Sequence, residues 1–387
     1  MPRSIEIRRR PAQCDPAGET RSRVEPSSSP ARQAQALSMR LFLHSLGAAE
    51  LMTMYLGHRL GLYRVLGDGP VTGAELAARA GVGARHATEW LEQQAAAGVV
   101  EPAGDGRFRL PEGHRQALTD ATSPFAVLSL AVLPVAGLAP MLDRLVEAYA
   151  KGEGVGYDEY GEEFRAAQAG MNRPVFTHEL PRWIRTALPD VHARLSRPGA
   201  VVIDVGCGTG DSSLALAQTY PFATVHGVDL GAAAIGAARD RAASAGLAER
   251  VVFTVADVAE RPGAERGDLV CVFDALHDMS RPVRVLTAAR ELLRPGGCVL
   301  LMEPRVGERF TAPAGEVERF MYAVSVLHCL PVGLTGDGDD GGAPAGTGTV
   351  MRPDTVRRYA ERAGFAATTV LPVEHRFHRL YRLDPPA

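Results

Sequence analysis

Lysine is almost absent from this chain of 387 residues: Lys151 is the only one, and arginine supplies the rest of the 42 basic side chains. With 45 acidic residues the formal net charge is -3, so the sequence offers no broad basic surface for nucleic acid or anionic lipid. Cysteine is also scarce. The five cysteines have neither the C-x-x-C spacing of metal sites nor the pattern of a secreted disulfide framework, and we therefore expect a cytoplasmic protein.

The apolar core of a signal peptide is missing from residues 1–36, which are rich in arginine, proline and serine and are predicted to form a disordered tail. Residues 124–142 are nearly all apolar, but Pro124, Pro134 and Pro140 interrupt them. This favours a buried pair of short helices over a membrane-spanning one. With 46% hydrophobic residues, a chain of this length can bury two sizeable cores.

The most informative stretch is residues 201–210, Val-Val-Ile-Asp-Val-Gly-Cys-Gly-Thr-Gly. The β-branched run predicts a strand buried on both faces of a parallel sheet. Gly206, Gly208 and Gly210 would let the backbone turn sharply and approach a ligand closely. A dinucleotide-binding loop needs a glycine where Asp211 stands, so a pyrophosphate site is not predicted.

Four further strands alternate with helices after this loop, and an acid that could face a nucleoside follows each of the first three. Asp229 ends the second strand, where it could accept hydrogen bonds from both hydroxyls of a ribose. Asp257 and Val258 follow the third strand and could hold an adenine ring, while Asp274 ends the fourth. These four strands are predicted at 224–228, 251–255, 269–273 and 298–302. This alternation of strands and helices predicts an α/β fold whose sheet binds a nucleoside at the carboxyl ends of its strands.

A separate helical module precedes the sheet. Residues 45–66 have helical apolar spacing, Thr72 and Glu75 form a capping box, and residues 84–97 predict a third helix before a β-wing around residues 99–110. This is the pattern of a winged helix. Between residues 72 and 110 four arginines stand against five acids, a balance that favours a dimerisation module over DNA binding.

Together these features resemble the class I S-adenosylmethionine-dependent methyltransferases with an N-terminal winged-helix domain, a group of bacterial small-molecule O-methyltransferases. Asp204 followed by Gly-x-Gly-x-Gly resembles their motif I, and the Leu-Leu-Arg-Pro-Gly-Gly turn before the fifth strand also matches. The likeness covers roughly residues 40–385. It implies a Rossmann-like class I methyltransferase sheet (α/β), an N-terminal α-helical winged-helix dimerisation domain, and S-adenosyl-L-methionine as cofactor.

The resemblance also divides the chain and assigns its residues. After the tail we expect a winged-helix domain at 37–120, a helical linker and cover at 121–195, and the methyltransferase domain at 196–387. The implied cofactor site consists of Asp204, Gly206, Cys207, Gly208, Asp229, Leu230, Asp257, Val258, Asp274, Ala275 and Tyr160. Tyr157 and Asn172 are expected near it.

The walls of the acceptor chamber are less well defined by the sequence. Phe320, Met321, Tyr322 and His328 are expected to form the wall opposite the cover. The Gly- and Asp-rich residues 333–348 have no EF-hand ligand pattern and predict a mobile lid or a disordered loop. No metal site is predicted.

Catalysis is assigned to the segment after the fourth strand. Residues 273–279, Phe-Asp-Ala-Leu-His-Asp-Met, resemble the Leu-His-Asp-Trp segment that carries the general base of these enzymes. His277 has a suitable ordinary pKa, with Asp278 beside it and Glu303 to orient it. Met279 replaces the tryptophan, and the second orienting acid is missing before the last helix. His277 could instead cap the helix that follows.

The predicted function is methyl transfer to a small-molecule metabolite, with a hydroxyl as the favoured acceptor, in bacterial secondary metabolism. We expect a homodimer formed through the winged-helix domain, with no nucleic acid or membrane partner. Two alternatives remain open. One is a winged-helix transcriptional regulator with a ligand-binding methyltransferase-like domain. The other is a methyltransferase-like enzyme with non-methylating chemistry, which the missing acid keeps open.

Overall fold

The computed structural model describes residues 29–260, 263 and 265–387. Contacts divide the chain into residues 1–49 and residues 50–387, and the two units are described separately. Most of the predicted N-terminal tail, residues 1–28, lies outside the described residues. For residues 30–36 the prediction of disorder is wrong, because they form the start of a long helix.

The α-helices of the described residues are α1 Pro30–Arg59, α2 Leu62–Gly67, α3 Gly73–Ala80, α4 Ala84–Ala96, α5 Glu112–Thr119, α6 Ser129–Val132, α7 Leu142–Lys151, α8 Gly161–Pro174, α9 Leu180–Ala187, α10 Pro189–Leu195, α11 Asp211–Thr219, α12 Ala232–Ser244, α13 Pro282–Glu291, α14 Glu316–Val324, α15 Leu330–Gly333 and α16 Pro353–Arg362. Segments of π-helix are Leu133–Leu138, Val175–Glu179 and Ser325–Cys329, and segments of 3-10 helix are Ala139–Met141, Tyr157–Tyr160 and Leu276–Asp278. The strands are β1 Glu101–Pro102, β2 Phe108–Arg109, β3 Val201–Val205, β4 Thr224–Asp229, β5 Val251–Val255, β6 Gly267–Phe273, β7 Leu293–Pro304, β8 Ala367–Val370 and β9 His378–Asp384.

The winged-helix module forms much as its sequence predicts. The predicted helix at 45–66 is divided into α1 and α2, because Gly61 adopts the left-handed conformation with φ of 68°. The capping box before α3 is present: the Thr72 hydroxyl accepts from the Glu75 amide at 3.2 Å, and the Glu75 carboxylate accepts from the Thr72 amide at 2.8 Å. Strands β1 and β2 pair as a short antiparallel wing.

Residues 129–151 form one continuous helical run, where the sequence had predicted two short helices. Pro134 and Pro140 fall in the π-helical and 3-10 segments, where a change of pitch accommodates a residue that has no amide proton. Among the described residues, this run is long and apolar enough to cross a membrane by length and composition alone. Of its apolar 18-residue stretch, 39% is buried.

The main sheet has seven strands in the order β5-β4-β3-β6-β7-β9-β8. Strands β3 to β7 are parallel, and β9 runs antiparallel to both β7 and β8. β7 starts at Leu293, so the Pro-Gly-Gly segment expected to be a turn lies within it, opposite a register shift in β6. Because β4 and β6 flank β3 on opposite sides, a crevice opens beyond the carboxyl end of β3.

Candidate functional site

A cavity of about 440 Å³ lies at this crevice, beyond the carboxyl ends of β3, β4 and β6. Its other side is formed by the cover segment, residues 156–176, which includes a 3-10 turn and α8. Predicted site residues that line this cavity are Gly206, Cys207, Gly208, Asp229, Leu230, Asp257, Val258, Asp274, Ala275, Asp278, Tyr157 and Asn172. The sequence thus located most of one wall of the cavity.

The glycine loop after β3 presents bare backbone to the cavity. Gly206 and Gly208 have φ of 71° and 52°, in the region that L side chains rarely adopt. A Cβ on Gly206 would lie 3.0 Å from the Cβ of Ala275, whereas a Cβ on Gly208 would meet no protein atom within 4 Å. The loop can therefore hold a ligand against its backbone, as the glycine spacing predicts.

Asp204 lies beneath this loop and does not line the cavity, so the prediction that it touches the cofactor needs correction. It is 1% exposed, and its Oδ2 accepts hydrogen bonds of 2.6 Å from both Ser212 and Ser213 at the start of α11. Burial raises its pKa to about 6. Its side chain joins the end of β3 to the next helix and so positions the glycine loop between them.

Asp211, which replaces a glycine of the dinucleotide motif, begins α11 and is buried in an ion-pair cluster. Its carboxylate accepts from Arg173 on α8 at 2.7 Å, and from Arg241 on α12 at 2.5 Å and 2.7 Å. Burial raises the pKa of this carboxyl, but the two guanidinium groups outweigh that effect and the net pKa is lowered. A carboxylate thus occupies the helix N-terminus where a pyrophosphate would bind.

Asp229 ends β4 in the wall of the cavity. Its Oδ2 accepts from the amide of Gly208 at 2.9 Å and its Oδ1 from the amide of Gly231 at 2.8 Å. Burial raises the pKa of this carboxyl. Leu230 follows as an exposed side chain, 69% accessible, which leaves an apolar surface free at the rim of the cavity.

Asp257 lies in the cavity wall beside a cation that sequence reasoning missed. Its Oδ1 accepts from the amide of Ala259 at 2.9 Å, and its Oδ2 is paired with the guanidinium of Arg281, which also pairs with Glu260. Arg281 precedes α13 and lines the same cavity. Its sequence neighbourhood carries no ligand motif, so only the fold identifies it.

The three predicted catalytic residues form a row, in which His277 and Glu303 are buried and Asp278 is partly exposed. His277 is 3% exposed; its Nδ1 lies 2.5 Å from Oε2 of Glu303, and its Nε2 lies 2.8 Å from Oδ1 of Asp278. Burial lowers the pKa of His277, but the carboxylates of Asp278 and Glu303 outweigh it, so its pKa rises well above 6.5. The two carboxylates therefore favour the protonated form of the imidazole that lies between them.

The role of His277 as general base stays a prediction, and this arrangement favours a different proton acceptor. Neither His277 nor Glu303 lines the cavity, whereas Asp278 does. A protonated imidazole has no lone pair with which to accept a proton. Burial raises the pKa of Asp278, but His277, His328 and Cys329 together outweigh that effect, so its net pKa is lowered and the ionised form is favoured. Of the three residues, Asp278 is thus the one that lines the cavity, and His277 and Glu303 do not.

Cys329 completes this cluster: among the described residues, its sulfur and the ligand atoms of His277 and Asp278 lie within 4.8 Å of one another. Burial raises the pKa of this thiol to about 12. Metal ligation requires a thiolate and a neutral imidazole, and both are disfavoured here. In these protonation states the three groups pack together around Asp278 and do not favour a metal ion.

The cover segment reaches the sheet through Asn172, whose Nδ2 donates to Oδ2 of Asp274 at 2.9 Å. Tyr157 also lines the cavity, and its hydroxyl donates to Gln168 at 2.9 Å. Tyr160, which was predicted to touch the cofactor, does not line the cavity. Its hydroxyl donates to the Leu327 carbonyl at 2.9 Å and its ring packs 4.6 Å from that of His328.

The four residues predicted to form the opposite wall of the acceptor chamber lie away from this cavity. Phe320, Met321, Tyr322 and His328 do not line the cavity; Val332 and Thr335, farther along the chain, do. His328 is fully buried instead, with its ring stacked 4.2 Å from that of Phe164. Helical spacing placed these residues on one element, but the direction of each side chain depends on the cover segment that packs against them.

The Gly- and Asp-rich residues 333–348 are held against the catalytic segment. The amide of Gly348 donates to the His277 carbonyl at 3.0 Å and that of Ala345 to the Ser280 carbonyl at 2.9 Å. Asp339 accepts from the amide of Arg284 at 2.9 Å, at the start of α13. These contacts describe an ordered strap, where the sequence had predicted a lid or a disordered loop.

Comparison with known proteins finds two family models that match different parts of the chain. Residues 196–338 match the family model described as "Methyltransferase domain", and residues 47–120 match the "Rv2258c-like winged HTH domain". The 27-O-demethylrifamycin SV methyltransferase of Amycolatopsis mediterranei is 35% identical over 106 residues, which are 27% of this chain and 39% of that protein. The matches cover 31% to 57% of the length of the first curated relatives.

Solved structures share the fold over nearly the whole chain. The mitomycin 7-O-methyltransferase is 20% identical with a TM-score of 0.60, covering 93% of this chain and 100% of its own. The methyltransferase of calicheamicin biosynthesis, in its S-adenosylhomocysteine-bound form, is 19% identical with a TM-score of 0.61 and the same coverage. The predicted fold class and cofactor are confirmed. Residues 47–120 of this chain are a winged-helix domain, and residues 196–338 belong to an S-adenosylmethionine-dependent methyltransferase domain of the class I fold.

Proposed function

We propose that this protein methylates a small-molecule acceptor at oxygen, as an enzyme of bacterial secondary metabolism. The observation that carries the proposal is the position of Asp278: this residue, with a side chain 14% exposed, lines the same cavity as the glycine loop and Asp274. A hydroxyl acceptor has to lose a proton, so an enzyme that methylates it needs an acid at the cavity. A module that only binds the cofactor has no such need. The names of the rifamycin and mitomycin methyltransferases, both O-methylating, support the same chemistry.

S-adenosylmethionine supplies a methyl group on a positively charged sulfur, which leaves as a neutral thioether. The chain has to hold the acceptor in line with that methyl group, exclude water, and take one proton. We assign the proton to Asp278. As the oxygen gains the methyl group, its remaining proton becomes strongly acidic, so a carboxylate with a low pKa can still accept it.

His277 and Glu303 act as positioning residues in this scheme. The imidazolium neutralises one of the two carboxylates that flank it, which keeps Asp278 ionised before the acceptor binds. Glu303 fixes the ring through its Nδ1 and also accepts from the Leu276 amide at 3.1 Å. Removing either group should therefore disturb the orientation and charge of Asp278 while leaving the wall of the cavity in place.

We further propose a homodimer in which a second copy covers the N-terminal part of α1. Within the unit formed by residues 1–49, α1 exposes a run of large apolar side chains: Leu37, Met39, Leu41, Phe42, Leu43 and Leu46, each 45% to 62% accessible. An apolar patch of this kind marks an interaction surface. A second copy of the same helix would bury it symmetrically.

The regulator alternative loses support from the winged-helix domain itself. The four arginines between residues 72 and 110 are all ion-paired with acids, and they are Arg79, Arg85, Arg107 and Arg109. DNA affinity depends on cations that are free to neutralise phosphates. A gel shift at low salt with the upstream DNA of its own gene tests this alternative, and retardation that weakens as salt increases would revive it.

The first experiment is calorimetric titration of the full chain with S-adenosylmethionine and S-adenosylhomocysteine, with NAD as the control ligand. Micromolar binding of the first two alone supports the proposed site and justifies a screen of hydroxylated acceptors. A wild-type protein that binds neither contradicts the proposal. In the screen, one S-adenosylhomocysteine released per product supports methyl transfer, while product without it favours the non-methylating alternative.

A further inference from the structure

Two carboxylates, one from the sheet and one from the cover segment, face the cavity on either side of Gly231. A Cβ placed on Gly231 would lie 3.2 Å from Oδ1 of Asp229 and 4.0 Å from Oδ1 of Asp158. The two oxygens are therefore no more than about 7 Å apart. Because Gly231 has no side chain, the space beside both carboxylates stays open to a ligand.

The two acids differ in what they already bind. Asp229 accepts from the amides of Gly208 and Gly231. The side chain of Asp158 has no hydrogen bond or ion pair with any residue that the structure describes, although its neighbour Glu159 accepts from the Gly156 amide at 2.8 Å and from Arg144 at 3.0 Å. Asp158 is thus the acid of this turn whose carboxylate has no partner among the described residues.

Its position is fixed by the residues on both sides. Asp158 belongs to the 3-10 turn Tyr157–Tyr160, and both tyrosines are anchored by hydrogen bonds of 2.9 Å, from Tyr157 to Gln168 and from Tyr160 to the Leu327 carbonyl. The turn therefore holds Asp158 at the cavity wall, where it lines the same space as Asp229. Two like charges facing one cavity repel each other, and Asp158 adds to the effect of burial in raising the pKa of Asp229.

A vicinal diol is the ligand that suits this pair. Ionised carboxylates are acceptors only, and the two hydroxyls of a ribose are adjacent donors. We propose that Asp158 and Asp229 hold the ribose of the cofactor from opposite sides, each accepting from one hydroxyl. Asp229 alone was expected to take both. This inference rests on the proposed S-adenosylmethionine site, and it makes the cofactor itself the link that closes the cover segment onto the sheet.

The test is calorimetric titration of S-adenosylhomocysteine into the wild type, Asp158→Ala and a matched control, Glu162→Gln. Glu162 is an exposed acid four residues farther along, in the first turn of α8, and it does not line the cavity. Because Asp158 is exposed and bonded to nothing described, its replacement should leave the melting temperature unchanged. We expect at least roughly tenfold weaker binding for Asp158→Ala, from the loss of a hydrogen bond to a charged acceptor, and wild-type binding for Glu162→Gln.

The analogues of S-adenosylhomocysteine that lack the 2′- or the 3′-hydroxyl assign the contact. One of these two analogues should bind equally well to the wild type and to Asp158→Ala, because it lacks the hydroxyl from which Asp158 accepts. Equal weakening with both analogues would overturn the assignment to ribose. Unchanged or tighter binding of S-adenosylhomocysteine by Asp158→Ala would overturn it too, because removing the acid then only relieves repulsion. A wild type that binds no S-adenosylhomocysteine refutes the proposed function instead.

Discussion

Replacing Asp204 by asparagine should make the stability of the protein less dependent on pH, by an amount that the structure fixes. Burial raises the pKa of Asp204 from its ordinary 3.8 to about 6. The native state therefore binds the proton more tightly than the unfolded state. As the pH rises through this interval the carboxyl must ionise in a buried site, and stability is lost.

The magnitude follows from the size of the shift. Each pKa unit corresponds to about 1.4 kcal/mol, so a displacement of about two units corresponds to about 3 kcal/mol once both states are ionised. Asparagine carries no charge at any pH, and its oxygen can still accept from Ser212 and Ser213. Its amide would occupy the place of Oδ1, which has no hydrogen-bond partner among the described residues, and this adds a constant penalty of about 1 to 3 kcal/mol.

The quantity to measure is therefore the difference in unfolding free energy between Asp204→Asn and the wild type, at several pH values from 4 to 8. Urea unfolding followed by tryptophan fluorescence is suitable, because Trp183 lies in the same core as Val202 and Leu214. Between pH 4 and pH 8, the unfolding free energy of the variant should rise relative to that of the wild type by about 2 to 3 kcal/mol. Asp143→Asn, at an exposed acid, is the control. A difference that stays constant with pH would refute the reasoning.

Three other predictions follow from the site and its surroundings. Asp278→Asn should lower kcat by roughly a hundredfold or more with little change in S-adenosylhomocysteine affinity, since it removes a proton acceptor and not a cofactor contact; equal turnover would exclude it as base. Asp211→Asn should destabilise the protein by about 2 kcal/mol at pH 7, because it leaves Arg173 and Arg241 without their shared carboxylate. The lowered pKa of Asp211 means that its contribution is lost as the pH falls below the ordinary value of 3.8, so urea unfolding should show the two proteins converging in acid. Phe42→Asp should convert the proposed dimer to a monomer in light scattering, and an unchanged mass would place the interface elsewhere.

The fold could be predicted from the sequence wherever the signal was local. The run 201–205 is buried along its whole length, as its β-branched residues indicate, and the capping box at Thr72 needs only its own hydrogen bonds. The strand ends also located Asp229, Asp257 and Asp274, because parallel strands bring their carboxyl ends to one edge. At these positions the local sequence determines both the backbone conformation and the side chain that it presents.

The errors concern the direction of a side chain, which depends on what packs against it. Asp204 and His277 are adjacent in sequence to residues that line the cavity, yet both are buried behind it by partners from other elements. Tyr160 is directed away from the cavity by the Leu327 carbonyl, 167 positions later in the chain. No periodicity within a segment contains that information.

The helix α8 carries two adjacent side chains that bind opposite sides of the site. Asn172 holds Asp274 at the end of β6, and Arg173 holds Asp211 at the start of α11. A ligand that orders the glycine loop therefore also restricts α8, and one that presses on α8 also restricts the loop. We therefore expect the affinities for cofactor and acceptor to be coupled through this helix, and any such coupling has to be equal in both directions.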